Sequence, residues 1–138
     1  MTGAVEAVKM LNQADYLVIV VTNQSGVARG YYSEQDVKKL HEHMQRYMLA
    51  QGARIDAFYY CPHLPEAPVS MYAVDCDCPK PKPGLILHAL EDFAVDKAQS
   101  FIIGDKDRDI ESGLAAGLPN SYLFHGGNLA ELVRDIIK

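Results

Sequence analysis

A chain of 138 residues that is 49% hydrophobic can bury one core, so it reads as a single folded domain rather than a disordered chain. Its net charge of −5 at pH 7 leaves no basic field for nucleic acid, and its longest apolar run, Leu17 to Val21, is far too short to cross a bilayer. The N-terminal segment lacks the basic-then-apolar pattern of a signal peptide, and three cysteines are an odd number for a disulfide framework, so a cytoplasmic setting is expected.

Val5, Val8 and Leu11 stand at helical spacing and predict an amphipathic helix over 3–13. Tyr16 to Asn23 is β-branched and apolar on both faces, as a buried parallel strand requires, and it runs into the loop residues Asn23, Ser25 and Gly26. Ser33, with Asp36 three positions on, opens a helix that Gly52 ends. Ile55 to Pro62 reads as a second strand, and the proline-rich stretch from Cys61 to Pro83 as a loop. A helix over 84–93, a strand Ser100–Asp105, a helix Asp107–Ala116 closed by Gly117, a strand Ser121–Phe124 and a helix over 128–137 capped by Asn128 complete the chain. Strands alternating with helices indicate an α/β fold with a parallel sheet.

All three cysteines fall in one loop, as Cys61-x-His63, twelve residues, then Cys76-x-Cys78. Three thiolates and an imidazole are the closed tetrahedral set of structural zinc, and metal bonds would order a loop that has few apolar residues. Buried thiols packing as small hydrophobes are the alternative.

Three further segments lie after strands or at helix starts, where open α/β sheets bind ligands. In VVTNQSG, Thr22 offers a hydroxyl, and the backbone N–H groups from Asn23 to Gly26 could cradle an oxyanion, although the same residues serve ordinary turns. In CPKPKPG, Lys80 and Lys82 are held between prolines, which suits an ammonium beside a phosphate and also suits a solvated loop. In IIGDKDRDIESG, Asp105 leaves a buried strand and Asp109 follows on the first turn of a helix. Hard oxygens so placed suit Mg²⁺, with Lys106 balancing phosphate charge. Asp107 and Glu111 fit a plain acidic helix start.

Taken together, VVTNQSGVARG, CPHLPE, CDCPKPKPG and IIGDKDRDIESGLAAG resemble the haloacid dehalogenase (HAD) superfamily, in the branch of D,D-heptose 1,7-bisphosphate and histidinol phosphatases. The heptose-type members match better, through VTNQSGVARG and GDK. The resemblance implies a HAD-like Rossmannoid parallel sheet flanked by helices, and a Mg²⁺-dependent phosphomonoesterase acting on a small sugar phosphate. It assigns Thr22, with Asn23 beside it, to the phosphoryl group, Lys80 to the nucleophile and phosphate, and Lys106 to a phosphate contact. Asp105 becomes the magnesium ligand, with Asp109 closing that motif, and Arg29 a substrate contact. Cys61, His63, Cys76 and Cys78 match the zinc ligands of a loop spanning 61–78.

Two departures stand out. Pro79 occupies the position before Lys80, where heptose-type relatives often carry a substrate-gripping arginine. Relatives also begin with an apolar strand ending in D-x-D-G, whose first aspartate is the nucleophile and second the general acid/base. The present sequence starts at the helix that follows it, as a domain over 1–138 truncated at its N-terminus relative to the family. Asp15 precedes its strand, and Asp75 and Asp77 lie inside the zinc loop, so none of these replaces the motif. The resemblance places that strand mid-sheet, between the VIVVTN and FIIGD strands. Three outcomes are expected: the flanking strands close up, a second copy fills the gap by self-association, or a longer chain supplies the strand. As written, the chain is expected to be inactive or impaired. The other readings are a zinc-stabilised remnant that still binds phosphate, an interaction module, or a histidinol-phosphate phosphatase.

Overall fold

Among the described residues six α-helices and four strands follow one another: α1 (Ala4–Gln13), β1 (Ile19–Asn23), α2 (Ser25–Ala28), α3 (Glu34–Ala50), β2 (Ala57–Cys61), α4 (Gly84–Asp92), β3 (Phe101–Gly104), α5 (Asp107–Ala115), β4 (Asn120–Leu123) and α6 (Leu129–Ile136). The computed structural model describes residues 2–63, 67–73 and 82–138, and of Ser25 the backbone alone. Among these residues no helix is long and apolar enough to cross a membrane.

Local chemistry sets the helix ends. Ser33 Oγ accepts the Asp36 N–H at 3.1 Å while the Asp36 carboxylate accepts the Ser33 N–H at 2.9 Å, a reciprocal capping box that starts α3. Asn128 Oδ1 accepts the Ala130 N–H at 2.9 Å and starts α6. Gly52 and Gly117, at φ of +82° and +88°, take the left-handed turns that follow α3 and α5. β1 is shorter than the apolar run suggests. The Val18 N–H goes to the Asp56 carboxylate at 2.7 Å instead of a ladder partner, so the strand begins at Ile19. The loop expected at Ser25 and Gly26 is instead the short helix α2.

The single expected sheet is divided. β1 pairs with β2 in parallel, Thr22 facing Tyr60 and Asn23 facing Cys61, and β3 pairs with β4 in parallel. Direct closure of β1 on β3, one of the three outcomes the sequence allowed, does not occur among the described residues. A cavity of about 970 Å³ lies between them instead, lined by Ile19 to Val21 on one side and Phe101 to Gly104 on the other. The ladders show which groups look into it. The Asp56 N–H reaches the Val18 carbonyl and the Gln24 N–H the Cys61 carbonyl, both at 2.7 Å, so even-numbered β1 residues turn their backbone toward β2. The Ile19 backbone therefore faces the cavity. Likewise the Phe124 N–H meets the Gly104 carbonyl at 2.7 Å, which turns the Phe101 and Ile103 backbone away from β4.

Two apolar clusters pack around the strands, and the second joins the two sheets. Ile103 packs on Ala7, Ala130 and Val133 between α1 and α6. Val21 and Ile102, from the two different sheets, pack on the same group of Ile86, Ala116 and Leu118. Burial of these side chains is the main stabilising term.

His41, on the buried face of α3, stacks on the Phe58 ring at a centroid distance of 4.4 Å, and burial holds its pKa below the usual imidazole value. Below about pH 6.5 the unfolded chain takes a proton on His41 that the folded chain resists, so stability should fall as pH drops through that value. His41→Phe retains an aromatic stack and removes the titration. Urea midpoints between about pH 5 and pH 7.5 should decline less steeply on acidification in the variant, and equal slopes would contradict this account.

Candidate active site

Parallel pairing brings the carboxyl ends of the two strands in each sheet to one edge, and Thr22 and Asn23 on β1 and Asp105 and Lys106 after β3 stand at such ends. Thr22 and Asn23 end β1 and sit opposite Tyr60 and Cys61 of β2. The Gln24 side-chain amide lies 3.4 Å from Thr22 Oγ1 and accepts the Tyr32 hydroxyl at 2.5 Å, so Thr22 stands at the end of a short polar chain. Gly26 is required by that arrangement, since a Cβ there would lie 2.4 Å from the Tyr32 ring. The oxyanion cradle expected from Asn23 to Gly26 is reduced, because the Gln24 N–H already continues the ladder to Cys61. Arg29 is exposed just past α2.

Across the cavity, Asp105 and Lys106 leave β3 exposed, while Asp109 on the first turn of α5 is 5% exposed. Asp105 and Asp109 both line the cavity at this end. One oxygen of Asp109 accepts the Lys106 N–H at 3.2 Å, which caps α5 and fixes the carboxylate. Gly104 makes room for it, since a Cβ at that position would lie 2.2 Å from the Asp109 side chain. Two carboxylates at the end of one strand, one held rigidly and one exposed, fit the oxygen-donor preference of Mg²⁺. Asp107 is exposed in the same first turn, in keeping with a plain acidic helix start.

Cys61 is 1% exposed, and its Sγ lies 3.8 Å from His63 Nδ1. Ligands on one tetrahedral zinc, with bonds of about 2.3 Å to sulfur and about 2.0 Å to nitrogen, stand about 3.6 Å apart, so this pair fits zinc. Cys61 is nonetheless disulfide-bonded here, contrary to the expectation from cysteine number. Thiols gathered tightly enough to share a metal are also within reach of one another. Zinc requires the reduced thiolate, so the two states exclude each other at Cys61. Cys76, Cys78 and Lys80 lie outside the described residues, and no group of three metal-ligating side chains occurs among the described ones.

Two anchors escaped the sequence reading. The Ser112 hydroxyl, fully buried on α5, donates to the Lys82 carbonyl at 2.9 Å and ties the end of the CPKPKPG segment to the Asp105 side of the site. Glu34, the first residue of α3, accepts the hydroxyls of both Tyr60 and Tyr72. Sequence spacing carries no signal for partners this far apart along the chain.

Known proteins resemble this chain in sequence and in fold. A HAD-hydrolase-like family model matches residues 77–132. The chain is 43% identical over 137 residues to the D-glycero-beta-D-manno-heptose-1,7-bisphosphate 7-phosphatase of Rhodopseudomonas palustris, covering 99% of this chain and 76% of that one. It is 45% identical over 108 residues to the D-glycero-alpha-D-manno-heptose-1,7-bisphosphate 7-phosphatase of Burkholderia mallei, covering 78% and 57%. Among solved structures, the D,D-heptose 1,7-bisphosphate phosphatase of B. bronchiseptica, complexed with magnesium and phosphate, superposes with a TM-score of 0.82 at 28% identity, over 99% of this chain and 83% of that one.

Gly104→Ala tests the packing of Asp109. Overfilling this contact should cost about 1–3 kcal/mol of unfolding free energy by urea titration, whereas an unchanged midpoint would mean that Asp109 is not held against β3.

Proposed function

The chain belongs to the HAD-like hydrolases, in the family of the D-glycero-D-manno-heptose 1,7-bisphosphate phosphatases, and from that membership we propose that its site serves Mg²⁺-dependent hydrolysis of a sugar-phosphate monoester. The observation that carries the reading is that β1 and β3 flank one cavity, with Thr22 near the carboxyl end of β1 and Asp105 and Asp109 lining the cavity where β3 ends. In this reading Thr22, Asn23, Lys80 and Lys106 hold the transferring phosphoryl group, and Arg29 contacts the sugar. Asp105, with Asp109 behind it, holds Mg²⁺, which when bound neutralises phosphoryl charge. Cys61, His63, Cys76 and Cys78 hold a structural zinc in the reduced protein.

The preferred substrate is D-glycero-D-manno-heptose 1,7-bisphosphate. VTNQSGVARG and the heptose-phosphatase relatives support it over histidinol phosphate, the alternative within the branch. Relatives named for either anomer match the chain, so both anomers are candidates.

The cavity between β1 and β3 supports a further element of the reading: it is the seat of an apolar strand ending in Asp-x-Asp, entering parallel to its neighbours. The strand could come from a longer form of this chain or from a separate polypeptide. Its first carboxylate would attack phosphorus in line, forming an aspartyl-phosphate while the second gives the leaving sugar oxygen its proton. Water would then cleave the aspartyl-phosphate, releasing phosphate and restoring the carboxylate. The 138 residues contain no Asp-x-Asp-Gly, so alone they should bind phosphate without efficient turnover.

The test is phosphate release from both anomers of the bisphosphate with Mg²⁺, under reducing conditions. The chain is assayed alone, with an apolar peptide ending in Phe-Leu-Asp-Arg-Asp-Gly, and with that peptide plus Asp105→Asn. Turnover that needs the peptide and is lost in Asp105→Asn supports the reading. Turnover by the chain alone would reveal a different nucleophile. None with the peptide would leave a phosphate-binding remnant.

A further inference from the structure

Glu34 opens α3 directly after the Ser33 cap, so its carboxylate leaves the helix at a fixed point. Its oxygens divide their partners. Oε1 accepts the Tyr60 hydroxyl at 2.8 Å, and Oε2 accepts the Tyr72 hydroxyl at 2.7 Å. Hydroxyl bonds to an ionised carboxylate are among the stronger hydrogen bonds, and the two phenols, Tyr72 first, hold the Glu34 pKa below its usual value. A glutamate at a helix start also favours the helix dipole, but that role needs neither tyrosine.

The two tyrosines belong to the two ends of one excursion. Tyr60 is on β2, opposite Thr22 and one residue before Cys61. Tyr72 ends the short 3₁₀ turn Ser70–Tyr72, and its ring lies 6.4 Å from the His63 ring. The chain therefore leaves β2 at Cys61 and His63 and is back beside them by Tyr72. The returning stretch is docked a second time, where the Val69 N–H donates to the Ala28 carbonyl of α2 at 3.1 Å.

We propose that Glu34 is a positioning residue for His63: by holding Tyr60 and Tyr72 on one carboxylate it seats residues 67–73 against the carboxyl end of β2 and keeps the imidazole beside Cys61. The inference rests on the reading of Cys61 and His63 as zinc ligands and extends it to a residue outside the ligand set. Groups that orient a metal-bound histidine from behind typically change metal affinity tenfold or more when removed.

The experiment uses the reduced, zinc-loaded chain, with zinc content measured first. Glu34→Ala, Glu34→Gln, Tyr72→Phe and the Glu34→Ala/Tyr72→Phe double variant are compared by zinc release to a chromogenic chelator and by amide exchange at Val69. Glu34→Ala and Tyr72→Phe should each speed both readouts roughly tenfold. The double variant should go no further than Glu34→Ala, because the two side chains act through one bond. Glu34→Gln keeps a carbonyl acceptor for Tyr72 and should restore most of the slow release. Amides of α1 and α6 should be unaffected, which separates the effect from loss of the fold. Zinc release at the wild-type rate in both Glu34→Ala and Tyr72→Phe overturns the inference, even if Val69 exchanges faster. A wild-type chain that takes up no zinc overturns the zinc reading, and this inference with it.

Discussion

A strand inside a protein must give its backbone N–H and C=O groups to some partner, and this demand organises the molecule. β1 satisfies one edge with β2, and β3 satisfies one edge with β4. The backbone groups of Ile19, Phe101 and Ile103 turn the other way, toward a common cavity with helices on both faces. The apolar clusters hold the two sheets at a separation without closing it, because Val21 and Ile102 share neighbours on α4 and around Leu118 while their strands remain unjoined. A gap with strand edges on both sides and apolar side chains above and below is shaped for another strand more than for a small molecule.

The groups near the carboxyl ends of β1 and β3 are held partly by local bonds and partly by bonds that cross the fold. Asp109 is clamped by the Lys106 N–H and by the bare backbone at Gly104. Thr22 stands on the Gln24–Tyr32 pair. Ser112 ties Lys82 to α5, and Glu34 ties the returning end of the cysteine loop to β2. These bonds fix the Asp109, Thr22 and Tyr60 side chains and the Lys82 backbone relative to the strands and helices around them.

Much of this was legible in the sequence wherever local chemistry decides. Ser33 with Asp36, Asn128, Gly52 and Gly117 mark helix ends by the groups they offer the nearest turn, and the structure places the ends there. The short strands were likewise readable, β1 from its β-branched run and the others from their apolar and aromatic residues. Long-range choices were not. Nothing in Tyr60 or Tyr72 announces a shared carboxylate at position 34, and nothing in Gly104 announces the side chain of Asp109 against it. The turn at Ser25 became a helix because Gln24 continues the ladder with its N–H and then opens the helix with its carbonyl, a choice set by Cys61 on the neighbouring strand. That Thr22 and Asp105 would stand at or just past strand ends was readable from the polar residues that follow each apolar run. The division of the sheet followed only from how the strands pair.

The central claim is that the cavity between β1 and β3 is the seat of a strand that completes the site. Its most direct measurement is amide hydrogen exchange at Ile19 and Ile103, with and without a saturating apolar peptide that ends in Asp-x-Asp. If the peptide adds as a parallel strand, exchange at both amides should slow by roughly tenfold or more, while amides in the β1–β2 and β3–β4 ladders change little. Unchanged exchange at Ile19 and Ile103 would contradict the claim and leave the cavity as a separation between two independent sheets.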